Sequence, residues 1–149
     1  DIRLESKLIK NLGLIVIDYL QLMRSKKRFE NRNLEVGSIC RELKCLASEL
    51  GVPILCLSQL NRTSDESTRP SPSELRDSGS IEQDANKVIL MWSIEKPCKK
   101  HWMNPSGFTH ALNRRGTTGV TLFNFNGNYM QFAELDHKYE ESKPKKIWR

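Results

Sequence analysis

The sequence predicts an α/β fold in which helices flank a parallel sheet and antiparallel hairpins follow at the carboxyl end. Two short apolar runs, residues 13–17 and 54–57, stand on either side of an amphipathic helix. A strand, a helix and a strand joined by short connections form a right-handed crossover, so these two strands should be parallel neighbours. Beyond residue 108, apolar strands alternate with glycine-containing turns, which is typical of hairpins.

Length and composition are those of one ordinary globular domain. The chain has 149 residues, of which 38% are hydrophobic and 28% charged, and its net charge is +6. A basic balance permits a polyanionic partner without requiring one. No signal peptide and no apolar run near 18 residues is visible, so we expect no membrane span. Four cysteines without a CxxC pair indicate reduced thiols in a cytoplasmic protein, those of the helix and second strand being buried.

The amino-terminal elements follow from local patterns. Residues 1–10 have the apolar spacing of a helix that leads into the first strand, and they contain no Met, so we expect a piece of a longer protein. Residues 24–33 are polar and charged, which indicates an exposed loop. From Val36 to Leu50 a single apolar stripe recurs at helical spacing. Gly51 should end this helix in a left-handed conformation, and Pro53 prevents its continuation.

The later elements are predicted less regularly. A polar loop at 63–72 and a short helical turn at Ser73 precede a helix start near residues 78–80. Residues 87–93 form an apolar strand, 95–108 a basic surface insertion, and 109–113 a short strand. A turn at 114–119 leads to a returning strand at 120–125. Asn126-Gly127 predicts a two-residue hairpin turn before a last strand at 129–132. We place the domain at residues 1–135 and a charged tail at 136–149.

Two polar residues mark a candidate site at one edge of the parallel sheet. Asp18 follows the first apolar strand directly, and Gln59 follows the second. Parallel sheets place ligands at the carboxyl ends of their strands, so both side chains should lie at the same edge. A carboxylate there suits the magnesium ion of a bound nucleotide, whereas the alternative is an acid that caps the following turn. Likewise, residues 78–80 predict either an anion-binding turn or an ordinary helix start.

Four segments together resemble the DnaB-type replicative DNA helicases. They read LGLIVIDYLQLM, GVPILCLSQLNR, LRDSGSIEQDAN and NRRGTTGVTLFNFNGNYMQF, and they occur in the family's order over residues 4–132. The resemblance implies a RecA-like P-loop NTPase core that assembles as a homo-hexamer around single-stranded DNA. A RecA-like recombinase or clock-type ATPase shares the first pattern but does not explain SQLNR followed by SGSIEQDA.

The resemblance also implies residue roles. Asp18 is similar to the Walker-B acid that acts on Mg²⁺, and Gln59 to the sensor of the ATP γ-phosphate. Arg114 is similar to the arginine finger that reaches a neighbouring subunit's ATP; without the resemblance it would be an exposed turn arginine. The central-channel loop that holds DNA matches four residues, namely Arg76, Asp77, Ser78 and Gly79.

The sequence departs from the family pattern in two respects. Leu112 stands where the family usually has a lysine two residues before the finger, and Arg115 replaces the following asparagine. Arg115 lies on the other side of the finger in sequence, so its side chain should point elsewhere. The phosphate-binding motif, GxxxxGKS or GxxxxGKT, does not occur in these 149 residues. We therefore expect this segment alone neither to bind ATP tightly nor to hydrolyse it.

The resemblance implies a motor that couples ATP hydrolysis to 5′–3′ translocation on single-stranded DNA and to duplex unwinding in replication. ATP and Mg²⁺ are the implied cofactors, and a primase or helicase loader is an implied partner. The alternative is a non-catalytic DNA-binding or replication-initiation module that retains a RecA-like shell. The basic surface and Leu112 support that alternative.

Overall fold

The computed structural model describes residues 1–60, 69–75, 78–93 and 103–134. Its strands form a two-stranded parallel sheet and a four-stranded antiparallel sheet. The predicted combination of a parallel sheet, helices and carboxyl-terminal hairpins is therefore present. The tail at 136–149 lies outside the described residues, as do most of the loop at 63–72 and residues 94–102. Within the described part of the chain, no helix is both long and apolar enough to cross a membrane.

Helices α1 (Ile2–Leu8) and α2 (Arg32–Leu50) are both capped by side chains. Asn31 accepts a hydrogen bond from the main-chain N–H of Leu34 at 3.0 Å, which starts α2 within the stretch predicted to be loop. At the other end Gly51 has a φ of 65°, the left-handed conformation predicted for it.

Strands β1 (Ile15–Ile17) and β2 (Ile54–Cys56) pair in parallel, as predicted, with Ile15 opposite Ile54. A short 3-10 turn, Leu20–Leu22, follows β1. One side of the strand pair packs on α2 through a cluster whose buried members are Leu20, Val36 and Ile39. This packing fixes the carboxyl ends of the two strands, where the candidate site lies.

The antiparallel sheet corrects one prediction. Its strands are β3 (Lys87–Ser93), β4 (Met103–Asn113), β5 (Gly119–Asn126) and β6 (Gln131–Glu134), in that order. The insertion predicted at 95–108 is wrong from Met103 onward, because β4 starts there and pairs with both neighbours. Pairing compensates for the weak strand sequence: Gly107 lies against the indole of Trp92, and the ring centroids of Phe108 and Phe123 are 4.4 Å apart.

The last hairpin is also longer than predicted. Asn126 pairs with Gln131, so four residues connect β5 and β6 in place of a two-residue turn. The side-chain oxygen of Asn126 accepts a hydrogen bond from the N–H of Asn128 at 3.1 Å, and Met130 takes a left-handed φ of 50°. The turn that the Asn126 side chain forms with the N–H of Asn128 is an alternative to the tight two-residue turn that Asn-Gly otherwise favours.

The cysteines fit the prediction of burial in part. Cys40 and Cys56 are half-buried beside the α2 cluster, whereas Cys45 is exposed. The prediction is wrong for Cys45 because its position falls on the polar side of the α2 stripe. Cys98 lies outside the described residues.

A second buried cluster joins the antiparallel sheet to α3 (Ser78–Asp84). Its buried members are Leu75, Val88 and Leu90, and Ile81 of α3 packs against both this cluster and the one on α2. Helix α3 therefore lies between the α2 side of the fold and the antiparallel sheet.

Candidate functional site

Asp18 and Gln59 follow the carboxyl ends of adjacent parallel strands. The N–H of Leu57 donates to the carbonyl of Ile17 at 2.9 Å, and the N–H of Leu20 donates back to Leu57 at 2.9 Å. These bonds continue the ladder beyond β1 and β2, so the two chain segments leave the sheet side by side. Both Asp18 and Gln59 are exposed there. The sequence-based expectation that they share one sheet edge agrees with this topology.

The Asp18 carboxylate is exposed, and its oxygens are of the kind that hard cations bind. Among the residues that the structure describes, none donates a hydrogen bond to it. Mg²⁺ is commonly held by one or two carboxylates, with water and substrate phosphates completing its coordination. A single exposed carboxylate at a strand end fits that pattern, and the described residues contain no cluster of three His, Cys, Asp or Glu that would hold a metal alone.

Gln21 connects the two strand ends directly. Its Nε2 donates to the Ser58 hydroxyl at 2.9 Å, and its Oε1 accepts from the main-chain N–H of Gln59 at 3.3 Å. The 3-10 turn after β1 brings Gln21 over the end of β2, since the strands are in parallel register. Sequence reasoning did not single out Gln21. Its signal was one amide side chain within the apolar run of residues 20–23, three positions after Asp18.

Arg32 and Glu35, at the start of α2, hold the segment that follows Gln21. The guanidinium of Arg32 donates to the carbonyl oxygens of Gln21 at 3.1 Å and Met23 at 3.0 Å. Its other terminal nitrogen donates to Glu35 at 2.6 Å, and the N–H of Ser25 donates to the same carboxylate at 2.8 Å. These hydrogen bonds lower the pKa of Glu35, and the bond from Ser25 has a larger effect than the bond from Arg32.

Gln59 and this segment together line a polar depression of about 660 Å³. Gln21, Arg32 and Glu35 contribute to its lining, as do the cationic residues Arg24 and Lys27. The network of Gln21 and Arg32 therefore runs between a strand-end amide and a basic loop, residues 24–30.

Arg114 lies at the turn between β4 and β5, away from the strand ends of the parallel sheet. Its Nη2 donates to the carbonyl of Gln83 at 2.6 Å and its Nε to the carbonyl of Ala85 at 2.8 Å. Both acceptors are at the carboxyl end of α3, where main-chain carbonyls lack partners within the helix. The structure therefore places Arg114 on α3 of its own chain and does not bring it to Asp18 or Gln59.

The residues of the predicted DNA loop are described only in part. Arg76 and Asp77 lie outside the described residues. Ser78 and Gly79 form the first turn of α3, so the helix start predicted near residues 78–80 is present. Arg114 binds the opposite end of this same helix.

The departures from the family pattern have a structural setting. Leu112 lies opposite Val88 in the β3–β4 ladder and packs against the cluster of Leu75, Val88 and Leu90. Arg115 is exposed beside Arg114. Position 112 is thus an apolar packing position in this chain, although the family usually has a cation there.

Comparison with known proteins identifies the family. The model of the DnaB-like helicase C terminal domain matches residues 1–134. The chain is 40% identical over 134 residues to the replicative DNA helicase DnaB of Haemophilus influenzae, covering 87% of this chain and 28% of that protein. It is also 40% identical over 149 residues to the DnaB helicase of Geobacillus stearothermophilus, covering 95% of this chain and 33% of that one. The chain thus spans about a third or less of these relatives.

Solved structures agree in fold. A DnaB-like replicative helicase, whose structure describes its interactions with primase, superposes with a TM-score of 0.74 at 31% identity, over 90% of this chain and 34% of that one. A solved ATPase domain gives a TM-score of 0.75 at 30% identity, over 90% of this chain and 49% of its own. These neighbours are RecA-like helicase ATPase domains, which establishes the RecA-like fold expected from the sequence. The chain belongs to the DnaB-like helicase C-terminal domain family.

Proposed function

We propose that the chain is the carboxyl-terminal part of the motor domain of a replicative DNA helicase. The motor couples ATP hydrolysis to 5′–3′ translocation on single-stranded DNA and to duplex unwinding. The observation that carries this proposal is the placement of Asp18 and Gln59 at the carboxyl ends of adjacent parallel strands. This placement occurs in a chain whose residues 1–134 match the helicase family.

Each strand-end side chain has a distinct task in this proposal. Mg²⁺, when bound with ATP, would neutralise phosphate charge, and Asp18 would hold it directly or through water. Gln59 would contact the γ-phosphate or the attacking water, because an amide can donate and accept a hydrogen bond without adding charge. The phosphate cradle and the remaining catalytic groups would come from residues other than these 149, so the segment alone should not turn over ATP.

Arg114 would act on the ATP of a neighbouring subunit in a homo-hexamer. To do so its guanidinium must leave the carbonyls of Gln83 and Ala85. Arginine fingers supplied by a neighbour contribute about 10³–10⁵ to the rate of phosphoryl transfer. The single strand would contact the loop before α3 through Arg76, Asp77, Ser78 and Gly79, with phosphate contacts that do not read sequence. A cytoplasmic setting and an interaction with a primase or helicase loader belong to the same proposal.

The test uses the full-length protein that contains this segment. We expect DNA-stimulated ATP hydrolysis and unwinding of a forked duplex with a 5′ single-stranded arm. Asp18→Ala, Gln59→Ala and Arg114→Ala should each abolish unwinding, whereas Glu42→Ala on the exposed side of α2 should not. Mixing Arg114→Ala with Asp18→Ala subunits should restore part of the hydrolysis, because a finger and an intact ATP site then meet at some interfaces. Salt-sensitive DNA binding without any hydrolysis would instead favour the non-catalytic module.

A further inference from the structure

Gln21 occupies a position that neither the motif nor the proposed chemistry explains. It is half-buried, and its side-chain amide uses both ends, donating to Ser58 Oγ and accepting from the N–H of Gln59. Making both hydrogen bonds costs the Gln21 side chain rotamer freedom, because it holds the side chain in one conformation. The same two bonds restrain the segment after β2.

The contact at Gln59 restrains the main chain where the sheet no longer does. Strand β2 ends at Cys56, and the last ladder bonds on this segment join Leu57 to Ile17 and Leu20. Gln59 lies two residues farther along. Its N–H is held by the Gln21 oxygen at 3.3 Å, so the direction in which the Gln59 side chain leaves the main chain depends on Gln21.

The main chain of Gln21 is in turn tied to the basic loop. Arg32 binds the carbonyls of Gln21 and Met23 together, and its partner Glu35 accepts from the N–H of Ser25. A displacement of Gln59 by a phosphate would therefore move Gln21, and through Arg32 the beginning of the loop that presents Arg24 and Lys27. Gln59, Arg24 and Lys27 all line the 660 Å³ depression, which leaves room for such a displacement.

We propose that Gln21 is a positioning residue that sets the main chain of Gln59 and, through Arg32 and Glu35, links it to the basic loop at residues 24–30. The proposal rests on the proposed function, in which Gln59 contacts the γ-phosphate and the protein binds single-stranded DNA. It assigns Gln21 no contact with ATP. Its effect is to make the state of the nucleotide site and the position of the basic loop depend on each other.

The test compares Gln21→Met with Gln21→Glu in the full-length protein. Methionine keeps the length of the side chain and removes both hydrogen bonds. Glutamate keeps an acceptor for the Gln59 N–H and a second acceptor that the Ser58 hydroxyl can reach. We expect Gln21→Met to leave the KM for ATP within about twofold and to lower the DNA-stimulated kcat about tenfold. Gln21→Glu should keep most of the wild-type DNA-stimulated kcat.

Coupling is measured as the ratio of oligo(dT) affinities with a non-hydrolysable ATP analogue and with ADP. We expect a wild-type ratio of about 5 or more, which falls to near 1 in Gln21→Met. Ser58→Ala removes only the hydroxyl that accepts the hydrogen bond of the Gln21 amide, and it should lower the ratio about twofold. Ser38→Ala, which deletes a hydroxyl bonded within α2, is the matched control and should change nothing. In a double-mutant cycle, Arg32→Leu should add little to Gln21→Met, since both interrupt one network.

Several outcomes would overturn the proposal. One is a wild-type coupling ratio in Gln21→Met; another is a large rise in its KM for ATP, which would make Gln21 an ATP-binding residue. A wild-type protein without DNA-stimulated hydrolysis would defeat the proposed function, and with it the coupling role. The hydrogen bond itself is tested independently by amide hydrogen exchange at Gln59, which should be about tenfold faster in Gln21→Met. Unchanged exchange would remove the positioning role whatever the enzymology.

Discussion

Arg114 is hydrogen-bonded to Gln83: its Nη2 lies 2.6 Å from the carbonyl oxygen of that residue, near the carboxyl end of α3. A cation is favourable at this end of a helix because the last carbonyls lack partners and carry partial negative charge. Ser78 and Gly79, two of the proposed DNA contacts, are at the other end of the same short helix. Withdrawal of Arg114 toward a neighbouring subunit would therefore free the carboxyl end of the helix that follows the DNA loop.

The stability of the fold should depend on this contact. Arg114→Ala removes two charge-assisted bonds at an exposed site, so we expect the free energy of unfolding to fall by about 1 kcal/mol. Arg114→Lys should lose about half as much, since lysine keeps the charge without the two-pronged geometry. Chemical denaturation measures the change, and Arg115→Ala is the control for loss of one exposed turn arginine. Equal effects of Arg114→Ala and Arg115→Ala would contradict the contact.

Leu112 should resist replacement by the lysine usual in the family. Its side chain packs against Leu75, Val88 and Leu90, so a lysine must either bury its amine or bend it outward from the sheet. We expect Leu112→Lys to lower the free energy of unfolding by about 1–2 kcal/mol. Leu112→Met, which keeps volume and polarity, should stay within about 1 kcal/mol of wild type. An unchanged denaturation midpoint for Leu112→Lys would show that this position is not a packing site.

Local patterns predicted the parallel part of the fold because each of its elements has a recognisable sequence pattern of its own. The apolar runs before Asp18 and Gln59 are short and uninterrupted, and Gly51 ends the intervening helix with the left-handed φ that glycine favours. The amino-terminal half of β4 could not be predicted in this way. Its Pro105 and Gly107 interrupt the strand pattern, and only pairing with strands on both sides makes the segment extended.

The candidate site divides in the same manner. The placement of Asp18 and Gln59 after adjacent parallel strands could be predicted from the sequence, because each follows an apolar run that marks a strand. The contacts of Gln21 and Arg114 depend on separations of 38 and 31 residues, respectively, and only the packed structure brings these partners together. At position 112 the sequence comparison showed only that the family's usual lysine is absent. The structure shows that Leu112 packs against an apolar cluster.

The Glu35 network should weaken in acid. Ser25 and Arg32 bind the charged carboxylate and lower the pKa of Glu35 from its ordinary 4.5. A group with a lowered pKa stabilises the folded state above its unfolded pKa, and that contribution is lost as the pH falls through the folded pKa. The difference in thermal midpoint between wild type and Glu35→Gln should thus be largest near pH 7 and shrink below about pH 4.5. A constant difference from pH 7 to pH 3 would contradict the assignment; Glu42→Gln is the control on the same helix.

The cysteines should differ sharply in reactivity. Burial, with a smaller effect of Cys56, raises the pKa of Cys40 to about 11, and burial also raises that of Cys56. At pH 8 only about one Cys40 thiol in a thousand is then ionised, and the thiolate is the reactive form. In a Cys98→Ser background, a disulfide reagent should label exposed Cys45 quickly and the other two slowly. Cys45→Ser should abolish the fast phase, and a fast phase that persists would show that Cys40 or Cys56 is accessible.

Leu20 and Leu22 offer a matched test of the packing behind the site. They belong to one 3-10 turn, yet Leu20 is 1% exposed and Leu22 is 64% exposed. Leu20 contacts Val36 and Ile39 in the α2 cluster, so Leu20→Ala should leave a cavity and lower the free energy of unfolding by about 3 kcal/mol. Leu22→Ala should cost less than about 1 kcal/mol.

Chemical denaturation of the two variants under identical conditions provides the comparison. Comparable losses for Leu20→Ala and Leu22→Ala would mean that another part of the protein covers Leu22, or that the turn is not anchored through Leu20. The Leu20→Ala cavity should also loosen the turn that carries Gln21. Hydrogen exchange at Gln59 should therefore rise in Leu20→Ala and not in Leu22→Ala, since only the first variant removes the packing that holds Gln21 over the end of β2.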